Sequence, residues 1–156
     1  MKRVVFACVH NAGRSQMAAA WFNHLADVNH LANIQALQAE PQGARIEPTV
    51  RARAVSAGTS PADRVHPEVL DVMKEVGIDL SSARPQKLTA ELAAQADLLV
   101  TMGCGDACPY VPGLQVEDWP LDDPQGQPMA RVRVIRDEIR GQVEALLARS
   151  LARERA

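Results

Sequence analysis

Arg3-Val4-Val5-Phe6-Ala7-Cys8, running on into Val9-His10-Asn11-Ala12-Gly13-Arg14-Ser15, decides how the chain is read. Residues 3–8 form an apolar, β-rich run that Asn11 and Gly13 bring to a halt. Such a run reads as a central parallel strand covered on both faces. From Ser15 the period changes. Met17, Ala18, Trp21, Phe22 and Leu25 recur at three- and four-residue spacing, which predicts a helix to about residue 32. The loop between a strand end and a helix start is where open α/β sheets hold their ligands.

Within that loop a cysteine is followed, after five residues, by an arginine. The spacing lets a short loop curl around an oxyanion, with backbone N–H groups of Val9, His10, Asn11, Ala12 and Gly13 turned inward and a helix N-terminus adding partial positive charge. Arg14 offers a planar two-pronged donor for two oxygens of a tetrahedral anion. The same positive surroundings favour the thiolate of Cys8. Ser15 can donate a hydrogen bond to that sulfur, and Asn11 can brace the loop. His10 reads equally as a pocket residue or a solvent-facing one, and His24, His30 and His66 as ordinary histidines.

Working outward, residues 52–57 read as a second strand stopped by Gly58, and His66 to Val76 as a helix stopped by Gly77. A short helix is expected over Thr89–Gln95 with Thr89 as its N-cap. Residues 97–102 form a third strand, residues 103–113 a glycine- and proline-bearing loop, and Val116–Leu121 a short fourth strand. Val132, Ile135, Ile139, Val143, Leu146 and Leu147 place a long amphipathic helix from Met129 to Ala152. Alternating strands and helices predict an α/β fold with a parallel sheet. Residues 35–52, with Pro41, Gly43 and Pro48, read as a surface insertion in a single domain spanning 1–156.

The 156 residues are 47% hydrophobic, 23% charged and 3% aromatic, with a net charge of −2. That composition is globular, and it lacks the basic field that attracts nucleic acid or an anionic membrane. The apolar start is too short for the core of a signal peptide, and no run reaches the length needed to span a bilayer. Three cysteines, Cys8, Cys104 and Cys108, are an odd set, which favours reduced, reactive thiols in the cytoplasm. Zinc finds no convincing set of four ligands, so neither a metal nor a cofactor is expected.

A thiolate that displaces oxygen from a tetrahedral oxyanion needs an acid to protonate the leaving oxygen. Asp122-Asp123-Pro124 follows the fourth strand, and Pro124 stiffens the loop. Asp123 is the first choice and Asp122 the reserve.

Cys8–Ser15, Ser56-Ala57-Gly58 and Asp122-Asp123-Pro124 together resemble the low-molecular-weight protein tyrosine phosphatase fold. More narrowly, Cys8–Ala18, Val100-Thr101-Met102-Gly103-Cys104-Gly105-Asp106-Ala107-Cys108-Pro109 and Trp119-Pro120-Leu121-Asp122-Asp123-Pro124 resemble the arsenate reductases built on it. The resemblance implies a four-stranded parallel sheet in the order 2-1-3-4, flanked by helices. It also implies that Cys8 attacks arsenate while Asp123 protonates the departing oxygen. Cys104 would then attack the Cys8 sulfur, releasing arsenite, and Cys108 would take over the disulfide for thioredoxin to reduce. The residues themselves suit such exchange, because Gly103 and Gly105 give Cys104 freedom to travel. Cys104 and Cys108 stand one helical turn apart.

The pattern departs from the family in places. Some thioredoxin-linked members hold potassium through a glutamate where this chain has Ala19, and the Cys-x3-Cys spacing is shorter than in some members. Relatives with this loop include enzymes that join arsenate to the small thiol mycothiol. Phosphotyrosine enzymes of the fold carry aromatic residues beside the Asp-Pro, where Gln125-Gly126-Gln127 stand here. The candidate partners are therefore arsenate, with phosphate or sulfate as analogues, and thioredoxin or a related thiol reductant. A phosphatase, an arsenate–mycothiol transferase and an oxyanion or redox sensor are the competing readings.

Overall fold

Strand β1 (Arg3–Cys8) is the axis of the molecule, with Val4 to Cys8 at most 3% exposed. The computed structural model describes residues 3–38, 52–103 and 111–154. It carries helix α1 (Arg14–Gln38), β2 (Arg53–Gly58), α2 (Pro67–Glu75), α3 (Ala90–Ala94), β3 (Leu98–Thr101), β4 (Gln115–Asp118) and α4 (Met129–Glu154). The four strands form one parallel sheet in the order β2-β1-β3-β4. The fold class and strand order are those expected.

Alternation along β1 divides the core. Val4, Phe6 and Cys8 face the larger layer, with Met17, Trp21 and Phe22 of α1, Val69, Val72 and Met73 of α2, and the apolar stripe of α4. Val5 and Ala7 face a thinner layer with Leu88 and Ala93. A run with no polar face is what a strand covered on both sides requires. With few aromatics available, Phe6 takes two of them: its ring centroid lies 6.1 Å from that of Phe22 and 5.5 Å from that of Trp119.

Register sets where β1 ends. Cys8 stands beside Gly58 of β2, and Ala7 beside Thr101 of β3. At the opposite end the Arg3 amide donates to the Asp97 carboxylate at 3.0 Å. Thr89 caps α3 by accepting from the Leu92 amide at 3.1 Å, a bond whose loss typically costs about 1 kcal/mol.

Two boundaries differ from expectation by three residues or more, the others by two at most. Helix α1 runs on to Gln38 instead of stopping near residue 32, so the first residues of the expected insertion are helical. Residues 33–38 hold neither glycine nor proline and include good helix formers, so nothing in the backbone stops the helix before that point. The remainder of the insertion lies outside the described residues. The fourth strand ends at Asp118, short of Leu121. Among the described residues no helix is long and apolar enough to cross a membrane.

Candidate active site

The loop after β1 is held from outside by its carbonyls. The amides of Thr59, Ser60, Ala62 and His66 donate to the carbonyls of Cys8, Val9, His10 and Ala12 at 3.2, 2.8, 2.9 and 2.9 Å. Every one of those donors comes from the connection between β2 and α2. Among the described residues the amides of Val9 to Gly13 have no protein acceptor. Carbonyls spent outward and amides left open on the other side make an anion-binding concavity.

Asn11 is the turning point. Its φ of 52° is left-handed, a conformation that asparagine tolerates better than most residues. Its side chain is fully buried and bonded at both polar atoms. Oδ1 accepts from the Gln86 amide at 2.9 Å and from Gln16 Nε2 at 3.2 Å, and Nδ2 donates to Ser15 Oγ at 2.8 Å. Gln16 Nε2 also donates to the Asn11 carbonyl at 3.0 Å. Because Ser15 Oγ accepts from Asn11, its own hydrogen remains for Cys8 Sγ, 2.8 Å away. Asn11 thus orients the hydroxyl that faces the sulfur.

Gly58 closes the floor. A Cβ there would lie 2.6 Å from the Val9 carbonyl oxygen and 2.9 Å from the Asn11 amide nitrogen, so the loop can lie on β2 only because residue 58 lacks a side chain.

Arg14 starts α1 and turns its guanidinium toward the segment after β4. Nη1 donates to the Leu121 carbonyl at 3.0 Å, and Nη2 lies 3.9 Å from Asp123 Oδ2. The Arg14 side chain is 11% exposed and that of Asp123 46%. Gly103 abuts the same guanidinium: with φ +84°, its Cβ position falls 2.8 Å from Nη1. Asp122, the reserve acid, points elsewhere and forms an ion pair with Arg131 of α4.

The structure therefore links Cys8, Asn11 and Ser15 by hydrogen bonds, sets Arg14 within 3.9 Å of Asp123, and leaves the backbone amides of Val9, His10, Asn11, Ala12 and Gly13 without a protein acceptor among the described residues. His10 turns toward the rim, donating from Nδ1 to the Ser60 carbonyl at 3.2 Å. Cys104 and Cys108 lie outside the described residues. Sequence reasoning missed Gln16, Gln86, the Leu121 carbonyl and the amides of Thr59, Ser60, Ala62 and His66. Gln16 left a faint trace, a polar residue on the buried stripe of α1. Backbone groups leave none.

Residues 38–156 match the model of the family described as low molecular weight phosphotyrosine protein phosphatase. The arsenate reductase 2 of Staphylococcus haemolyticus is 33% identical over 152 residues, which cover 95% of this chain and 98% of that one. A thioredoxin-dependent arsenate reductase of Corynebacterium glutamicum superposes with a TM-score of 0.71 at 34% identity. That match covers 95% of this chain, which spans 61% of the solved chain's length. An arsenate reductase solved in its phosphate-binding state gives a TM-score of 0.70 at 30% identity, covering 96% of this chain and 98% of that one.

Proposed function

The chain belongs to the low molecular weight phosphotyrosine protein phosphatase family, and on that premise we propose that it reduces arsenate to arsenite. The observation that carries the reading is the concavity over Cys8. Amides without a protein acceptor among the described residues follow a sulfur hydrogen-bonded to Ser15, and the same loop ends at Arg14, 3.9 Å from Asp123. Relatives named as arsenate reductases over nearly the whole chain favour arsenate over phosphate as the productive substrate.

In this proposal the Cys8 thiolate attacks arsenic and forms a sulfur–arsenic bond, while Asp123 gives its proton to the departing oxygen, which leaves as water. Cys104 then attacks the Cys8 sulfur. The sulfur–arsenic bond breaks, its electron pair stays with arsenic, and arsenite departs, leaving a Cys8–Cys104 disulfide. Cys108 attacks Cys104, freeing Cys8, and thioredoxin reduces the Cys104–Cys108 disulfide. Gly103 supports this route, because it lies so near Arg14 that a Cβ on it would fall 2.8 Å from Nη1, and Cys104 follows it directly in sequence. The thioredoxin dependence of the Corynebacterium relative supports that reductant, and reliance on reduced thiols fits a cytoplasmic enzyme.

The test follows NADPH consumption by the reduced protein with arsenate, thioredoxin and thioredoxin reductase. Cys104→Ser and Cys108→Ser should each abolish repeated turnover, with Cys104→Ser still able to form the first adduct. If both variants turn over normally with a low-molecular-weight thiol, the small-thiol transferase reading replaces this one. Hydrolysis of phosphotyrosine without arsenate-dependent NADPH consumption would establish a phosphatase instead.

A further inference from the structure

Gly13 is a glycine whose conformation does not call for one. Its φ is not among the positive values that Gly77, Gly103, Gly113 and Gly126 adopt, so an L side chain fits its backbone. What forbids a side chain is Pro124. A Cβ on Gly13 would lie 2.8 Å from Pro124 Cγ and 3.4 Å from Cδ, with His66 Cδ2 next at 3.6 Å. Pro124 is buried, whereas Asp122, Asp123 and Gln125 around it are exposed. One residue of an exposed loop is thus pressed onto the bare face of the anion cradle.

We propose that Pro124, seated on Gly13, is the positioning residue that holds Asp123 at the oxyanion; this rests on the reading of Asp123 as the general acid. The segment is pinned on both sides of that aspartate. Leu121 accepts from Arg14 ahead of it, and Pro124 rests on Gly13 behind it. The proline ring has no rotamers to sample, and it confines the preceding Asp123 to extended backbone. Asp123 Oδ1 accepts from the Gln125 amide at 3.0 Å, which leaves Oδ2 as the oxygen on the Arg14 side. A rigid spacer on a bare patch therefore converts the place of the cradle into the place of the acid. An alanine at 13 would lift the spacer, and the acid with it, while keeping every amide of the cradle.

The test compares wild type, Gly13→Ala, Pro124→Ala and the double variant on phenyl phosphate, a poor leaving group, and p-nitrophenyl phosphate, a good one. Misplacing a general acid slows the poor leaving group selectively, whereas damage to the cradle slows both alike. Gly13→Ala should lose ~10-fold or more on phenyl phosphate relative to p-nitrophenyl phosphate, within the usual range of a general acid. Phosphate should still protect Cys8 from iodoacetamide in that variant. The double variant should recover much of the loss, because Pro124→Ala removes the atoms that Cβ meets. Pro124→Ala alone adds no atom and should show a smaller loss of the same selectivity.

Equal losses on both esters, loss of phosphate protection, or a double variant no better than Gly13→Ala would overturn the proposal. If wild type hydrolyses neither ester, the same four proteins are compared in arsenate turnover, and full activity of Gly13→Ala overturns it. Wild type that acts on the esters but not on arsenate removes the arsenate reading and leaves this one standing. Inactivity on all three substrates removes both.

Discussion

Arg14 donates through Nη1 to the carbonyl oxygen of Leu121 at 3.0 Å, across 107 positions of sequence. The bond joins the start of the first helix to the segment that carries Asp122, Asp123 and Pro124. It also turns the guanidinium so that Nη2 faces Asp123. One cation therefore latches the neighbouring loop and, in the proposed function, also forms a wall of the anion site.

Replacing Arg14 by alanine removes both. Phosphate affinity should fall by about 2–3 kcal/mol, the scale of a buried charge-assisted hydrogen bond. The readout is the phosphate concentration needed to shield Cys8 from alkylation by iodoacetamide. Unchanged shielding would mean that the concavity binds no oxyanion through Arg14. Arg14→Lys keeps the charge but loses the fork, and should recover only part of the affinity.

Asp123→Asn and Asp122→Asn should separate cleanly. The first removes the carboxyl that faces Arg14, and turnover should drop by roughly 10²–10⁴-fold, the usual range for a general acid. The second breaks an exposed ion pair with Arg131, whose contribution is about 1 kcal/mol at most, so turnover should change little. Equal losses would show that the acid is not assigned to the right aspartate.

Gly58→Ala places a methyl carbon 2.6 Å from the Val9 carbonyl oxygen. That carbonyl is already bonded to the Ser60 amide, so it has little room to yield. The strain should cost about 1–3 kcal/mol in urea unfolding, as overpacking does, and weaken phosphate shielding of Cys8 as well. A variant with wild-type stability and shielding would contradict the packing described.

Acid sensitivity should come from a clasp far from the site. Glu75 at the end of α2 accepts from Arg133 Nε at 3.0 Å and from Arg136 Nη1 at 2.9 Å, both on α4. The Arg133 hydrogen bonds lead in holding its carboxyl below the ordinary carboxylate value, with Arg136 adding to the effect and partial burial opposing it. A depressed folded-state value means stability that is present above the unfolded carboxylate range and disappears as pH falls through the folded one. Glu75→Gln should therefore melt below wild type at pH 7, and the gap should close in acid. A gap that persists at low pH would assign the effect to packing instead of charge.

The periodic features of the chain are legible in its sequence. Val4 to Cys8 are buried on both sides, Thr89 caps its helix, and the α4 stripe from Val132 to Leu147 is buried throughout. Each follows from neighbours a few residues apart, where backbone geometry leaves little choice. The spacing from Cys8 to Arg14 belongs to the same class, since six residues cannot carry the arginine away from the loop. The end of α1 is not legible in the same way, because capping signals, unlike periodicity, are weak where no glycine or proline intervenes.

Local order along the chain was enough to announce a strand, a curled loop and a helix, and so the kind of ligand such a loop can hold. Tertiary packing alone decided the rest: that Gln86 braces Asn11, that Leu121 latches Arg14, that Arg131 engages Asp122 and leaves Asp123 beside Arg14, and that Pro124 comes to rest on Gly13. Apart from Arg131 and Asp122, nine positions from each other, those partners lie tens of residues apart, and no short-range preference of either member encodes the meeting. They are brought together only when the parallel sheet aligns the ends of its strands on one edge.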